Sequence, residues 1–225
     1  LSRTLALLHT AALHEARFAA LHAAHCAPLS LRQYSHPELL DIARESGVDA
    51  PALRAALADC IATITADGAT ALLCTCSTIG AAAEAAGADA DLPSLRVDRP
   101  MAAAAVAAVP SGGRIALLAS LESTLEPSAA LLREEAARGG RSLHVDSYLL
   151  PGVFAAAMAG DAAGARRRVG AAIDGLSSAR PRPDALVLAQ VSLADAADWP
   201  CALPLLSSPL SGLRAAAALC GSLPS

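Results

Sequence analysis

Two stretches of the chain run Ala71-Leu72-Leu73-Cys74-Thr75-Cys76-Ser77-Thr78 and Ala185-Leu186-Val187-Leu188-Ala189-Gln190-Val191-Ser192. Each is an apolar run of strand length that ends in polar residues. Two more pairs match in the same order. Arg3-Thr4-Leu5-Ala6-Leu7-Leu8-His9-Thr10 matches Arg114-Ile115-Ala116-Leu117-Leu118-Ala119-Ser120-Leu121, and Leu92-Pro93-Ser94-Leu95 matches Ala202-Leu203-Pro204-Leu205. The spacing within every pair is about 110 residues. Three matches in one order at one spacing, falling on strand ends and polar tips, identify an internal duplication that an alanine-rich background does not produce.

Outward from these runs, strand-length apolar segments alternate with helix-length alanine-rich ones. The expected strands are 4–8, 29–32, 70–74, 95–97, 114–119, 142–145, 185–189 and 203–206. The expected helices include 11–24, 79–86 and 125–138, with others opened by Pro37, Pro51 and Pro100, a residue suited to the first helical turn. Such alternation predicts parallel strands with crossover helices, an α/β fold. The expected architecture is two duplicated, open parallel-sheet, flavodoxin-like halves facing each other across a cleft. The first half spans 1–98, completed by a C-terminal helix at 208–225, and the second spans 99–207.

Composition narrows the function. The chain has 225 residues, 54% hydrophobic, 17% charged and 2% aromatic, with net charge −4. Interspersed charges of slightly acidic balance argue against nucleic-acid binding, and Arg166-Arg167-Arg168 lacks aromatic partners for stacking. The longest uncharged stretch, Gly68 to Ala83, falls short of the about 20 apolar residues of a membrane span. No signal-peptide pattern follows Arg3, and the six cysteines form no CxxC pair. A cytoplasmic protein with reduced thiols is the expectation. Every basic residue among the 17 is arginine; lysine and asparagine are absent.

In open parallel sheets, ligands bind beyond the carboxyl ends of the strands. The residues there are His9 and Thr10, Thr75 to Thr78, Ser120 to Thr124, and Gln190 to Ser192. Cys76, between a strand and a helix start, is the candidate thiol, because backbone N–H groups at a helix N-terminus favour a thiolate. A small buried core cysteine is the plain alternative. Thr75, Ser77 and Thr78, with Ser123 and Thr124 in the second half, place hydroxyls and N–H groups where a carboxylate would sit. Helix capping is their plain alternative. His22 and His25 lie one turn apart but no carboxylate joins them, so no metal is expected. Ser111-Gly112-Gly113 precedes a strand, whereas a phosphate loop follows one.

These features resemble the aspartate/glutamate racemase superfamily, whose members include amino-acid and hydantoin racemases, maleate isomerase and arylmalonate decarboxylase. The resemblance covers essentially the whole chain. The family's Cys-Asn-Thr appears as Cys76-Ser77-Thr78, and Leu95-Arg96-Val97-Asp98-Arg99-Pro100-Met101 resembles the segment leading into the second half. In the racemases two cysteines, one from each half, exchange protons on opposite faces of the substrate's α-carbon. The second position matches Leu188-Ala189-Gln190-Val191, and an amide cannot exchange a proton as a thiol does.

The resemblance implies a cofactor-independent enzyme of racemase or isomerase type, acting at a carbon next to a carboxylate of a small acid or amino acid with a single thiol. Cys76, Gln190 and His9 are its expected catalytic residues. Thr10, Thr75, Ser77, Thr78, Ser120, Ser123, Thr124 and Ser192 are its expected substrate ligands. Dimers are common among such proteins, and alanine-rich helices would permit close packing. The rival expectations are a small-carboxylate binding protein built on the same fold, a decarboxylase or lyase, and a structural subunit.

Overall fold

The computed structural model describes residues 3–221. The outermost residues of the expected first half, 1–2 and 222–225, lie outside the described residues. The chain divides into two compact units. One runs to Val97 and resumes at Pro209; the other is Asp98–Ser208.

The first unit is a four-stranded parallel sheet ordered β2-β1-β3-β4, from β1 (Thr4–His9), β2 (Ser30–Ser35), β3 (Ala71–Cys74) and β4 (Ser94–Arg96). The second repeats that order as β6-β5-β7-β8, from β5 (Gly113–Ala119), β6 (Leu143–Leu149), β7 (Ala185–Leu188) and β8 (Leu205–Ser207). All six inter-strand pairings are parallel, so the α/β expectation holds and both sheets are open.

Central strands in such sheets are covered on both faces and therefore read as continuous apolar runs. Every residue of β1, β3 and β7 is buried. In the first unit, Ala6, Leu8, Leu72 and Cys74 pack under α2 (Pro37–Ser46), α3 (Pro51–Ala66) and α4 (Gly80–Asp89). The alternate positions face α1 (Glu15–His25) and α9 (Pro209–Leu219). In the second unit, Ile115, Leu117, Ala185 and Val187 pack against α5 (Arg99–Ala108) and α6 (Glu122–Arg138). On the opposite face, Ala116, Leu118, Leu186 and Leu188 meet Val153 of α7 (Val153–Met158) and Val169 and Ile173 of α8 (Ala162–Ser177). The helix following β4 thus belongs to the second unit, and the helix following β8 returns to the first.

Register shows the duplication in physical form. Leu5 pairs with Ala71 as Ile115 pairs with Ala185, and Leu72 pairs with Ser94 as Leu186 pairs with Leu205. Hydrogen bonds beyond the ladders repeat as well. Thr70 N donates to Thr4 O at 2.8 Å and Asp184 N to Arg114 O at 2.8 Å. Thr4, not Arg3, therefore occupies the place of Arg114, one residue from the match read in sequence.

Three expectations are revised. Strand β6 runs on to Leu149; its His144, Asp146 and Ser147 conceal it, because an edge strand needs only its pairing with β5 and no second apolar face. The helix expected from Leu125 begins at Glu122 and carries Pro127 inside it. The stretch expected as one helix from Ala11 is a 3-10 turn (Ala12–His14) followed by α1. The proline starts of α2, α3 and α5 are where the sequence placed them.

The packing of α9 on the first unit depends on Gly212. A Cβ there would fall 2.4 Å from Val97 O and 2.8 Å from Val97 Cγ2. Overpacking costs about 1–3 kcal/mol, so Gly212→Ala lowers the melting temperature by about 2–10 °C. Differential scanning calorimetry of the two proteins measures this, and an unchanged melting temperature would refute the contact.

Candidate functional site

At the strand ends of the first unit, pairing extends one step beyond the ladder: Thr75 N donates to Leu8 O at 2.9 Å. The chain then turns through Cys76, Ser77 and Thr78 into α4. Ser77 and Thr78 are buried and Cys76 is half-buried, its side chain packed partly against the α2–α3–α4 core. The Cys74 thiol lies inside the strand, 3.6 Å from the Cys76 carbonyl oxygen. Cys74 is therefore core, and Cys76 is the thiol at the strand tip.

His9 closes β1 and is fully buried. The Thr75 hydroxyl donates its single hydrogen to Leu8 O at 3.1 Å, so it accepts from His9 Nδ1 at 2.8 Å. His9 Nε2 lies 3.1 Å from the side-chain amide of Gln33 on β2, and the ring packs 5.7 Å from that of Phe18. Burial pushes the His9 imidazole below its ordinary value, while the Gln33 bond and the Glu15 charge act the other way. Both ring nitrogens are thus engaged. His9 reaches the site through Thr75, as a brace beneath the Cys76 turn, and Thr75 has no hydroxyl hydrogen left to donate elsewhere.

The second unit repeats the frame with other chemistry. Ala189 N donates to Leu118 O at 2.9 Å, the counterpart of the Thr75 bond, so Gln190 stands where Cys76 stands in the first unit. Gln190 and Ser120 are buried together. Ser120 N is 2.5 Å and Ser120 Oγ 2.9 Å from the Gln190 side-chain oxygen. A backbone N–H can only donate, so this atom is the carbonyl oxygen and the Gln190 NH2 is the end left to point elsewhere.

Beyond Gln190 the chain forms a 3-10 helix, Val191–Ala196, in place of a full α-helix. Ser192 Oγ there and Ser123 Oγ on the first turn of α6 are buried with no protein hydrogen-bond partner. Neither α4 nor α6 has a side-chain N-cap. Helix capping thus does not account for the Ser123 and Ser192 hydroxyls, and a helix N-terminus with buried donors suits an anion. Thr124 is buried on that same first turn, and Thr10 directly follows His9.

Within each unit, then, the expected residues gather at the strand tips. Among the described residues no group of three metal-ligating side chains occurs, and His25 Nδ1 lies 3.2 Å from Arg214 Nη2. No helix is long and apolar enough to cross a membrane among those residues. Two residues that sequence reasoning passed over matter here. Gln33 meets His9 only through the β1–β2 register. Arg96 is a buried guanidinium beside the Cys76 turn, and the one signal for it was an arginine inside an apolar run.

The His9 brace has a pH signature. Unfolded, the imidazole takes up a proton as the pH falls through its ordinary value of 6.5; folded, it resists. Stability is therefore lost as the pH drops below that value. His9→Gln should melt lower than wild type at neutral pH, by about 1–3 kcal/mol of lost and unpaired hydrogen bonds. The gap narrows toward acid pH, since the variant lacks this proton linkage. Thermal melts of both proteins across the range test it, and parallel pH curves would refute it.

No protein-family model matches the sequence, and no curated protein matches it either. Solved structures do. A glutamate racemase isoform from Bacillus anthracis is 17% identical with a TM-score of 0.70, the match covering 97% of this chain and 81% of that one. Aspartate racemase from Picrophilus torridus is 16% identical with a TM-score of 0.65, covering 98% and 94%. A glycine-to-cysteine mutant of arylmalonate decarboxylase, in a sulfate-associated form, is 20% identical with a TM-score of 0.64, covering 99% and 95%. These likenesses run the length of the chain and agree with the duplicated order of the two sheets. The chain has the two-unit α/β fold of the aspartate and glutamate racemases and arylmalonate decarboxylase.

Proposed function

We propose that the protein is a cofactor-independent enzyme of the aspartate/glutamate racemase superfamily that moves a proton at the carbon next to a carboxylate of a small acid or amino acid, using Cys76 as its single acid–base thiol. The observation that carries the reading is the fixed Gln190 amide. With its oxygen held by Ser120, it offers N–H donors and has no proton to exchange. Chemistry at that tip is then electrostatic: the amide and the hydroxyls of Ser123, Thr124 and Ser192 hold carboxylate oxygens, while Ser120 spends its hydroxyl hydrogen on the Gln190 oxygen. In the first unit, Thr10, Ser77 and Thr78 do the same, and His9 keeps Thr75 and the Cys76 turn in place.

The reaction balances without a cofactor. The Cys76 thiolate takes the α-proton and becomes a thiol. The electron pair moves into the carboxylate, giving an enediolate-like state that the N–H and O–H donors stabilise. The proton returns from Cys76 to the same face. One thiol therefore exchanges the α-hydrogen with retention of configuration. A second reading follows from that same one-sidedness: loss of CO2 from a disubstituted malonate, then protonation by Cys76 to give one enantiomer.

Incubation with a panel of amino acids, hydroxy acids and substituted malonates in D2O, followed by NMR, tests both readings. Exchange with retention, or CO2 release with one chiral product, is expected. Either is reduced at least about a hundredfold in Cys76→Ala, the range of general acid–base catalysis. A folded protein with no exchange and no CO2 release across the panel, but with carboxylates raising its melting temperature, would replace the enzyme with a binding protein.

A further inference from the structure

Arg96, the last residue of β4, is 2% exposed. Its Nη2 donates to the carbonyl oxygen of Ser77 at 3.1 Å, within the Cys76-Ser77-Thr78 turn. Its backbone N–H donates to Glu84 on α4 at 3.0 Å. The first residue of that helix is Gly80, and a Cβ there would fall 2.8 Å from Arg96 Cβ and 3.1 Å from Nε. The arginine side chain therefore lies directly along the first turn of α4, and glycine at position 80 leaves it the space.

This arrangement runs against folding preference. Removing a guanidinium from water is costly, and an apolar side chain in a strand of this kind would be cheaper. The N-terminus of a helix is its partially positive end, so a cation there gains nothing from the dipole. The second unit shows that the fold does not need it. Arg96 pairs with Cys74 in register, and at the same place in the other sheet Ser207 pairs with Leu188. A rule broken in one unit and kept in its duplicate points to the tip that it serves.

We propose that Arg96 is a positioning residue for Cys76: its hydrogen bond to Ser77 O fixes the turn that carries the thiol, and its permanent charge makes that tip attractive to an anion. This assignment rests on the reading of Cys76 as the reacting thiol. The guanidinium itself is buried and does not touch substrate. It acts through the Ser77 carbonyl, and its charge adds to the helix N-terminus in drawing a carboxylate to that tip.

The test needs no turnover. Iodoacetamide labelling of Cys76, followed by mass of its peptide, is compared in wild type, Arg96→Met, Arg96→Lys and Gly80→Ala. The expected result is about tenfold slower labelling in Arg96→Met, the scale of one lost charged hydrogen bond, with only part of the rate recovered in Arg96→Lys, which keeps a donor for the Ser77 carbonyl but can shed its charge. A control in the same unit, Leu57→Ala, lowers the melting temperature without slowing Cys76. If Arg96→Met does not fold, Gly80→Ala decides, because it displaces the guanidinium without removing it and slows labelling too. Labelling at or above the wild-type rate in folded Arg96→Met, or failing that in Gly80→Ala, overturns the assignment. Absence of α-proton exchange would sink the catalytic reading while leaving the labelling ratio to judge Arg96.

Discussion

Much of this structure hangs on one backbone hydrogen bond made twice, from Thr75 N–H to Leu8 C=O and from Ala189 N–H to Leu118 C=O. Central strands covered on both faces leave no water for the groups just past their last rung, and a buried peptide group must find a partner. The bond extends the pairing of the two central strands by one residue and sets where the chain leaves the sheet. The next residue is then Cys76 in one unit and Gln190 in the other. Everything chemical about the two tips follows from which side chain that shared frame delivers.

The frame is duplicated but its support is not. Under Cys76 lies a brace, Gln33–His9–Thr75, with His9 and Thr75 buried, reaching across three strands to the Leu8 carbonyl. On its other side a guanidinium holds the Ser77 carbonyl, and a ten-residue helix follows. Under Gln190 lies Ser120, whose N–H and hydroxyl grip the amide oxygen, and a short 3-10 helix follows. In the proposed reaction the thiol must be held in one place, and a rigid turn does that. An amide that must present donors needs only its oxygen tied down. The two kinds of support match the chemistry of the two side chains.

The sheets were legible because burial on both faces turns β1, β3, β5 and β7 into apolar runs that composition alone reveals. The edge strands were half legible: β6 is exposed along its last three residues, Ser147 to Leu149, and its Tyr148 and Leu149 face no core that would give the strand an apolar period. Helix starts could be read where proline marks the first turn, but not for α1 or α6, whose N-cap residues make no side-chain bond. The tip residues Cys76 and Gln190 emerged from the repeat. Gln33 and Arg96 did not, because each acts through register: Gln33 sits beside Leu7, one step diagonal from His9, and Arg96 beside Cys74. Such relations exist only once strands are paired.

The absence of lysine, at first a matter of composition, acquires a physical meaning at position 96. A buried ammonium relieves the cost of desolvation by shedding its proton, as buried lysines do. A guanidinium cannot, since it is far too basic to give up its proton at ordinary pH, and it remains charged wherever the fold places it. It also offers several N–H donors in a plane, so one can hold the Ser77 carbonyl while others meet further groups. The folding cost of Arg96 is therefore paid in charge that does not titrate away. A pH change near neutrality acts on His9 and leaves the field of Arg96 in place.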